Sequence, residues 1–478
     1  MSVLSDLQPK SVFSYFEKIC QIPHGSGNTK AISDMLVKFA EDKGLECHRD
    51  DMNNVIIIKE ATDGYESSEP LIIQGHIDMV CEKAPGCSKD MSKEGLDLAI
   101  VDNYIYAKET TLGGDDGIAV AMMLALLSSD DIPHPRIEAV FTTDEEIGLL
   151  GAAALDVSPL KGKRMLNIDS EDEGVFTVSC AGGNVTECVL PVIRSDFEGN
   201  AYLVRIEGLK GGHSGVEINQ GRANSNCLMG RLLYNAMKKA QLRIVSVDGG
   251  LKDNAIPRDT TAKIITSDEK LFSEVCSEME AVFNNEYKVT DPDIKIKIEK
   301  TAAEKPFDKI TTEKVICMLA STPNSVQEMS PDIEGLVQTS VNLGVVKTQS
   351  DKFSASFSVR SSIDSQKEMI SDKLKCLMTC LGGSANVYGD YPGWEYRKKS
   401  PLRDLMIQVF TEQYGYAPRV EAIHAGLECG LFAGKIPDLD CISFGPDLKD
   451  IHTYHEKMYI SSVQRVWNML IETIRRIK

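Results

Sequence analysis

An α/β fold built on a mixed sheet, with a second two-lobed α+β domain inserted into the first, is what this 478-residue sequence predicts. Three observations carry that reading. Short apolar runs stop at His, Asp or Glu. A long internal stretch lacks such endings. Within that stretch, strand–helix–strand patterns occur twice.

The apolar runs come first. Leu71-Ile-Ile-Gln-Gly75 leads straight into His76-Ile77-Asp78. Ile137-Glu-Ala-Val-Phe141-Thr leads into Thr-Asp144-Glu145-Glu146, and Arg164-Met-Leu-Asn-Ile168 leads into Asp169. Each is short, apolar and bounded by polar residues, as a buried strand is. Open α/β sheets bind ligands outside the carboxyl ends of their strands, so these residues are expected on one sheet edge. Between them, Gly113-Gly114-Asp115-Asp116-Gly117 opens the uncharged run Ile118 to Leu127. That run is too short to span a membrane and reads as a buried helix. Carboxylates at its start are favoured by the helix dipole. A last candidate, His452, follows Phe444-Gly-Pro446, with His455 three residues on.

His76, Asp115, Glu146, Asp169 and His452 form a nitrogen and oxygen ligand set without cysteine. Such a set suits zinc first, with manganese or cobalt as alternatives. Five ligands exceed one open tetrahedral site. They suit two metals about 3.5–4 Å apart with a shared carboxylate. Singly, each residue has a plainer reading: a polar loop for His-x-Asp, a capped turn for Asp115-Asp116, a solvated helix start for Glu145-Glu146. Their joint position at strand ends favours the metal.

In order, His76-x-Asp78, Gly114-Asp115-Asp116-Gly117, Asp144-Glu145-Glu146-Ile-Gly148, Asn167-Ile-Asp169 and His452 resemble the M20 family of di-zinc metallopeptidases. The segments Gly208-Leu-Lys-Gly-Gly-His213-Ser-Gly215, Asn254-Ala-Ile-Pro-Arg258, Ser358-Val-Arg360 and Ile423-His-Ala-Gly426-Leu-Glu-Cys-Gly430 are similar to its aminoacyl-histidine dipeptidase branch. The resemblance implies that Asp115 bridges, that His76 and Asp169 hold one metal, and that Glu146 and His452 hold the other. It further implies that Asp78 orients His76, that Glu145 is the general base, and that His213 steadies the oxyanion. Asn254, Arg360 and Gly426 are implied as substrate contacts, with Arg360 gripping a free carboxylate. Two departures stand out. Asp116 replaces the usual asparagine, and His452-Thr-Tyr-His-Glu456 lacks the usual proline, which leaves His455 as a competing ligand.

Four of the five ligands precede residue 170, so the insertion is placed at 183–395, between catalytic segments 1–182 and 396–478. Thr261–Ile265, Glu269–Phe283 and Ile294–Ile298 read strand, helix, strand. So do Phe353–Val359, Ser365–Leu381 and Ser384–Tyr388. This looks like a two-lobed lid and an internal duplication. In single-lobed relatives, dimerisation lends the lid histidine; a two-lobed lid would mimic that within one chain, leaving a homodimer open.

Net charge −19 argues against nucleic acid or anionic membrane surfaces as partners. Thirteen scattered cysteines without a C-x-x-C read as buried thiols in a reducing cytoplasm. The N-terminus has no signal-peptide pattern. His24, His48 and His134 are expected in loops. The implied activity is hydrolysis of a small peptide with a free C-terminal carboxylate, Xaa-His and β-alanyl-histidine included. A broader dipeptidase, a tripeptidase, an N-acyl-amino-acid deacylase and a non-catalytic binding protein are the alternatives.

Overall fold

The computed structural model describes residues 2–478. They form two compact units. Unit 1 comprises residues 1–179, 396–422 and 427–478; unit 2 comprises 180–395 and 423–426. Unit 2 starts at Cys180, three residues before the expected start of the insertion. Residues 423–426, expected with the C-terminal catalytic segment, cluster with unit 2 instead.

Unit 1 is organised by an eight-stranded mixed sheet. Its order is Glu46–Arg49, Val55–Lys59, Ile137–Thr142, Leu71–His76, Arg164–Asn167, Asp440–Ser443, Val175–Cys180 and Arg419–Ile423. The four strands Ile137–Thr142, Leu71–His76, Arg164–Asn167 and Asp440–Ser443 run parallel. Each is buried at nearly every position, which is why they read as apolar runs without alternation. Parallel pairing in register (His76 beside Thr142, Gln74 beside Asn167) puts the chain exits on one edge.

The helix Gly114–Ser128 packs against Leu71–His76 and is buried over almost its whole surface. That explains an apolar run with no polar face. Gly75 permits the close approach: a Cβ there would lie 2.4 Å from Asp116 Oδ2 and 2.9 Å from Ala119 Cβ. A separate four-stranded sheet, ordered Leu448–Lys449, Lys457–Tyr459, Tyr104–Ala107, Leu98–Val101, carries the loop that holds His452.

Unit 2 is organised by a nine-stranded sheet, eight strands of which form two halves of the same topology while the ninth, Ser325–Met329, pairs with Val337–Thr348. In the first, Asn200–Glu207, helix Ser225–Lys239, Leu242–Gly249, Thr260–Thr266, helix Glu269–Glu286 and Lys295–Lys300 follow in the chain, and the strands lie in the order fourth, first, third, second. In the other, Gly182–Pro191, helix Lys309–Ser321, Val337–Thr348, Lys352–Ser361, helix Asp364–Leu381 and Ser384–Tyr391 lie as second, third, first, fourth. The halves join second strand to second strand, Gly249 opposite Val346. The first half is nested between the first strand and first helix of the other. A shared core of Val204, Leu232, Ile264, Phe283, Phe353 and Phe357 runs beneath both.

His48 lies in the strand Glu46–Arg49, not in a loop, with Glu46 Oε1 2.8 Å away. His24 and His134 lie in loops but are buried. All thirteen cysteines are free; Cys81, Cys376 and Cys380 are exposed, against the expectation of buried thiols.

Candidate active site

The carboxyl edge of the unit 1 sheet gathers the expected ligands. His76 ends its strand, and Glu145 and Glu146 follow Ile137–Thr142 through Asp144, whose φ is 53°. Asp169 follows Arg164–Asn167. Asp115 sits at the start of its helix after Gly113, whose left-handed φ of 65° makes the turn. His452 hangs from the loop between Leu448–Lys449 and Lys457–Tyr459.

Asp115 lies between two imidazoles. Its Oδ1 is 3.1 Å from His76 Nε2, and its Oδ2 is 3.1 Å from His452 Nε2. Each imidazole faces a second carboxylate: Asp169 Oδ1 lies 3.5 Å from His76 Nε2, and Glu146 Oε1 lies 3.1 Å from His452 Nε2. Glu146 Oε1 is buried.

The electrostatics describe a site built for cations. Burial works against protonation of His76, yet Asp115, Asp169 and Asp78 hold its pKa well above the ordinary range. Asp115 and Glu146 raise His452 to about 10. Burial opposes ionisation of Asp115, but the two imidazoles hold it well below the usual carboxylate range. Burial, followed by Asp169, Glu428 and Glu146, pushes Glu145 up against the pull of His76. Protons stand here where a divalent cation would, and metal binding would release them.

Asp78 supports this arrangement at two places. His76 Nδ1 lies 3.0 Å from the Asp78 main-chain oxygen and 3.5 Å from its Oδ1, which aims Nε2 at the cluster. The Asp78 carboxylate also accepts the N–H groups of Glu145 and Glu146, at 3.1 and 3.4 Å, and the Ser26 hydroxyl at 2.8 Å. Asp116 is buried; its Oδ2 takes the His76 N–H at 3.2 Å, and it forms a close ligand group with His76 and Asp169, beside two others, His76 with Glu145 and Glu146, and Asp115 with Glu146 and His452. His455 is exposed, lies tilted at 45° against the Tyr454 ring and belongs to no ligand group among the described residues.

Three further acids in unit 1, the exposed Glu171 and the buried Glu428 and Glu456, have raised pKa values. Glu171 and Glu428 are each pushed up to about 7, mainly by desolvation. Glu428 accepts hydrogen bonds from Gln74 and Thr142, while its Oε1 stays unpartnered. Glu456 is likewise raised to about 7 by burial, although it accepts N–H groups from the loop that carries Asp115. The Glu at the end of His452-Thr-Tyr-His-Glu456 is the only sequence signal for it.

In unit 2 a second group forms. His213 pairs with Ala255 in a two-residue ladder, and the Asn254 carbonyl accepts the Ser214 N–H at 2.9 Å. His213 Nδ1 accepts the N–H groups of Gly215 and Val216, at 3.1 and 3.2 Å. The proton of the neutral ring is thereby placed on Nε2. Burial and then the Arg360 charge lower its pKa, which favours that neutral form. Arg360 donates through Nη1 to the Tyr391 hydroxyl at 3.3 Å, while its Nε is buried without a partner. His424 Nε2 lies 2.7 Å from Ser340 Oγ, and burial followed by Arg360 lowers its pKa to about 3. Gly426 packs under Tyr391, where a Cβ would lie 2.9 Å from the ring. Asn254 is exposed.

Residues 72–476 match the model of peptidase family M20/M25/M40. The chain is 34% identical to the cytosol non-specific dipeptidase of Escherichia coli (strain K12), covering 100% of this chain and 99% of that protein. Its fold superposes on aminoacylhistidine dipeptidase from Vibrio alginolyticus with a TM-score of 0.94 at 35% identity, over 99% of this chain and 98% of that one. A fold likeness reaches the aminopeptidase PepT of Bacillus cereus ATCC 10987, with a TM-score of 0.56 at 17% identity over 98% and 99% of the two chains. With a family model spanning most of its length and a full-length relative above 30% identity, the chain belongs to the M20/M25/M40 peptidase family.

Proposed function

We propose that this peptidase is a di-metal dipeptidase, with zinc as the first candidate metal and manganese or cobalt as alternatives. The observation that carries the reading is Asp115, whose two oxygens each lie 3.1 Å from a different imidazole, each imidazole facing its own second carboxylate. The residues fit the group. The donors are all nitrogen or oxygen, none is a thiolate, and the donor atoms of Asp115, Glu146 and His452 lie within 4.8 Å of one another. His76 and Asp169 would hold one cation, Glu146 and His452 the other, with Asp115 shared. Asp116 stays a neighbour that fixes the His76 backbone.

When bound, the metal pair supplies Lewis acidity towards water and the scissile carbonyl. Glu145 takes a proton from the attacking water and delivers it to the leaving amine. Asp78 keeps His76 aimed and the Glu145-Glu146 turn in place. His213, neutral with its proton on Nε2, donates to the developing oxyanion. Arg360 receives the substrate carboxylate, for which its buried Nε is unspent. Asn254 and Gly426 complete the contacts.

Peptides ending in histidine, β-alanyl-histidine among them, are the first substrates to try, in keeping with the Vibrio alginolyticus relative. The Escherichia coli relative, a non-specific dipeptidase, favours a second reading with a broad side-chain range. Cytoplasmic location is proposed on the same relative; no helix among the described residues is long and apolar enough to cross a membrane.

The test uses zinc-loaded protein on β-alanyl-histidine, alanyl-histidine, glycyl-leucine and N-acetyl-histidine, with Glu145→Gln alongside and metal counted in both. Expected are two metals in each, turnover of free-amine dipeptides by the parent, and a loss of ~10²–10⁴-fold in kcat for Glu145→Gln. Turnover of N-acetyl-histidine alone would replace the dipeptidase with a deacylase. Fewer than two metals would remove the shared-carboxylate site.

A further inference from the structure

Glu456 is a buried carboxylate four residues after His452, and both of its oxygens are turned to one loop. Its Oε2 accepts the N–H groups of Leu112 and Gly113, at 2.7 and 3.0 Å. Its Oε1 accepts the Gly114 N–H at 2.8 Å and faces the Asp115 N–H at 3.4 Å. Glu456 is 3% exposed, so these bonds form away from water. Four consecutive main-chain donors converge on one side chain from 341 to 344 residues away.

The donors lie at a helix start, where the first N–H groups have no partner inside the helix. Asp115 and Asp116 depart from helical φ/ψ, so the helix itself does not fix them. Something else must hold Asp115 with one oxygen towards each imidazole. Glu456 also shares its loop with His452, four residues earlier. One short segment thus supplies a direct partner of Asp115 Oδ2 and an anchor for the Asp115 backbone.

We propose that Glu456 is a positioning residue that holds the Leu112–Asp115 backbone so that the Asp115 carboxylate is presented to both metal sites. This rests on the di-metal reading above. The charge alone does not perform the role; both oxygens are needed. A glutamine keeps the shape, but its NH₂ group must face two of the N–H donors and cannot accept from them.

The experiment compares full-length parent, Glu456→Gln and, as a neighbour outside the cluster, His455→Ala. Two quantities are read. One is hydrogen exchange at the Leu112, Gly113 and Gly114 amides in metal-free protein. The other is zinc stoichiometry and affinity by chelator competition. In Glu456→Gln, exchange at these amides is expected to quicken by at least ~10-fold while distant amides stay unchanged. One zinc is expected to weaken by ~10–100-fold, the usual scale for losing an orienting partner. His455→Ala should match the parent in both. Unchanged exchange, or zinc affinities equal to the parent's in a parent that binds two, would overturn the proposal. A parent that binds fewer than two metals refutes the di-metal reading instead, and the exchange arm then decides the anchor alone. If Glu456→Gln does not fold, Glu456→Asp is read the same way, since it keeps the charge but is one methylene too short to reach both donor pairs.

Discussion

At the residue scale, imidazoles in this chain are assigned their tasks by what faces the second nitrogen. His76 is held at Nδ1 by Asp78 and turns Nε2 to carboxylates. His213 accepts at Nδ1 and is left with a donor at Nε2. His424 is buried beside the Arg360 charge and resists protonation, its pKa falling from 6.5 to about 3. That last shift has a consequence for stability. Unfolded, the ring takes a proton below pH 6.5; folded, it refuses one until about pH 3. The unfolded state therefore binds more protons across that window. The contribution of neutral His424 is complete above pH 6.5 and is lost as pH falls towards 3. Each pH unit is worth up to about 1.4 kcal/mol. Urea unfolding of the parent and His424→Gln at pH 7 and pH 5 should show the parent's advantage shrinking by up to about 2 kcal/mol. A gap that does not move with pH would mean that His424 titrates as it does in water.

At the element scale, packing of the first helices of the two lobes of unit 2 leaves no room at Gly230. A Cβ there would lie 2.6 Å from Leu319 Cβ and 2.8 Å from Leu319 O, the helix Ser225–Lys239 meeting the backbone of Lys309–Ser321. Helix propensity alone would make Gly230→Ala stabilising by roughly 1 kcal/mol. Overpacking against backbone costs about 1–3 kcal/mol and should win. Urea unfolding is expected to show net loss; a gain would mean that the helices do not approach so closely. Such contacts also mark where reading the sequence stops. His76, Glu145, Glu146 and Asp169 were legible because an apolar strand and the residue after it are neighbours in the chain, and a parallel sheet aligns such exits. The strand–helix–strand halves of unit 2 were legible for the same local reason. The nesting of one half within the other was not, because it is decided by which strands pair. Nor was Glu456, whose donors lie over 340 residues away. His48 was misread because a short polar edge strand has no apolar signature.

At the scale of the whole molecule, the two halves of unit 2 complete one sheet between them. An exposed second strand is an edge that invites another chain. Here that edge is spent internally, Gly249 opposite Val346. The junction is reinforced: the Val247 N–H reaches Thr348 Oγ1 at 2.8 Å, the Thr348 N–H reaches Asp248 Oδ1 at 2.9 Å, and Asn226 Nδ2 reaches the Leu343 carbonyl at 3.2 Å. A chain that completes this sheet by itself has no need of a partner's lobe to do so. His213 is therefore expected to serve the Glu145 of its own chain, whether or not copies associate. Mixing tests this directly. His213→Ala and Glu145→Ala are each expected to be nearly inactive, and subunits exchanged between them should stay so. If the histidine instead crossed between copies, random pairing would give half heterodimers with one intact site of two, or about one quarter of parental activity. Recovery at that level would mean that the internal duplication completes the sheet without freeing catalysis from a partner.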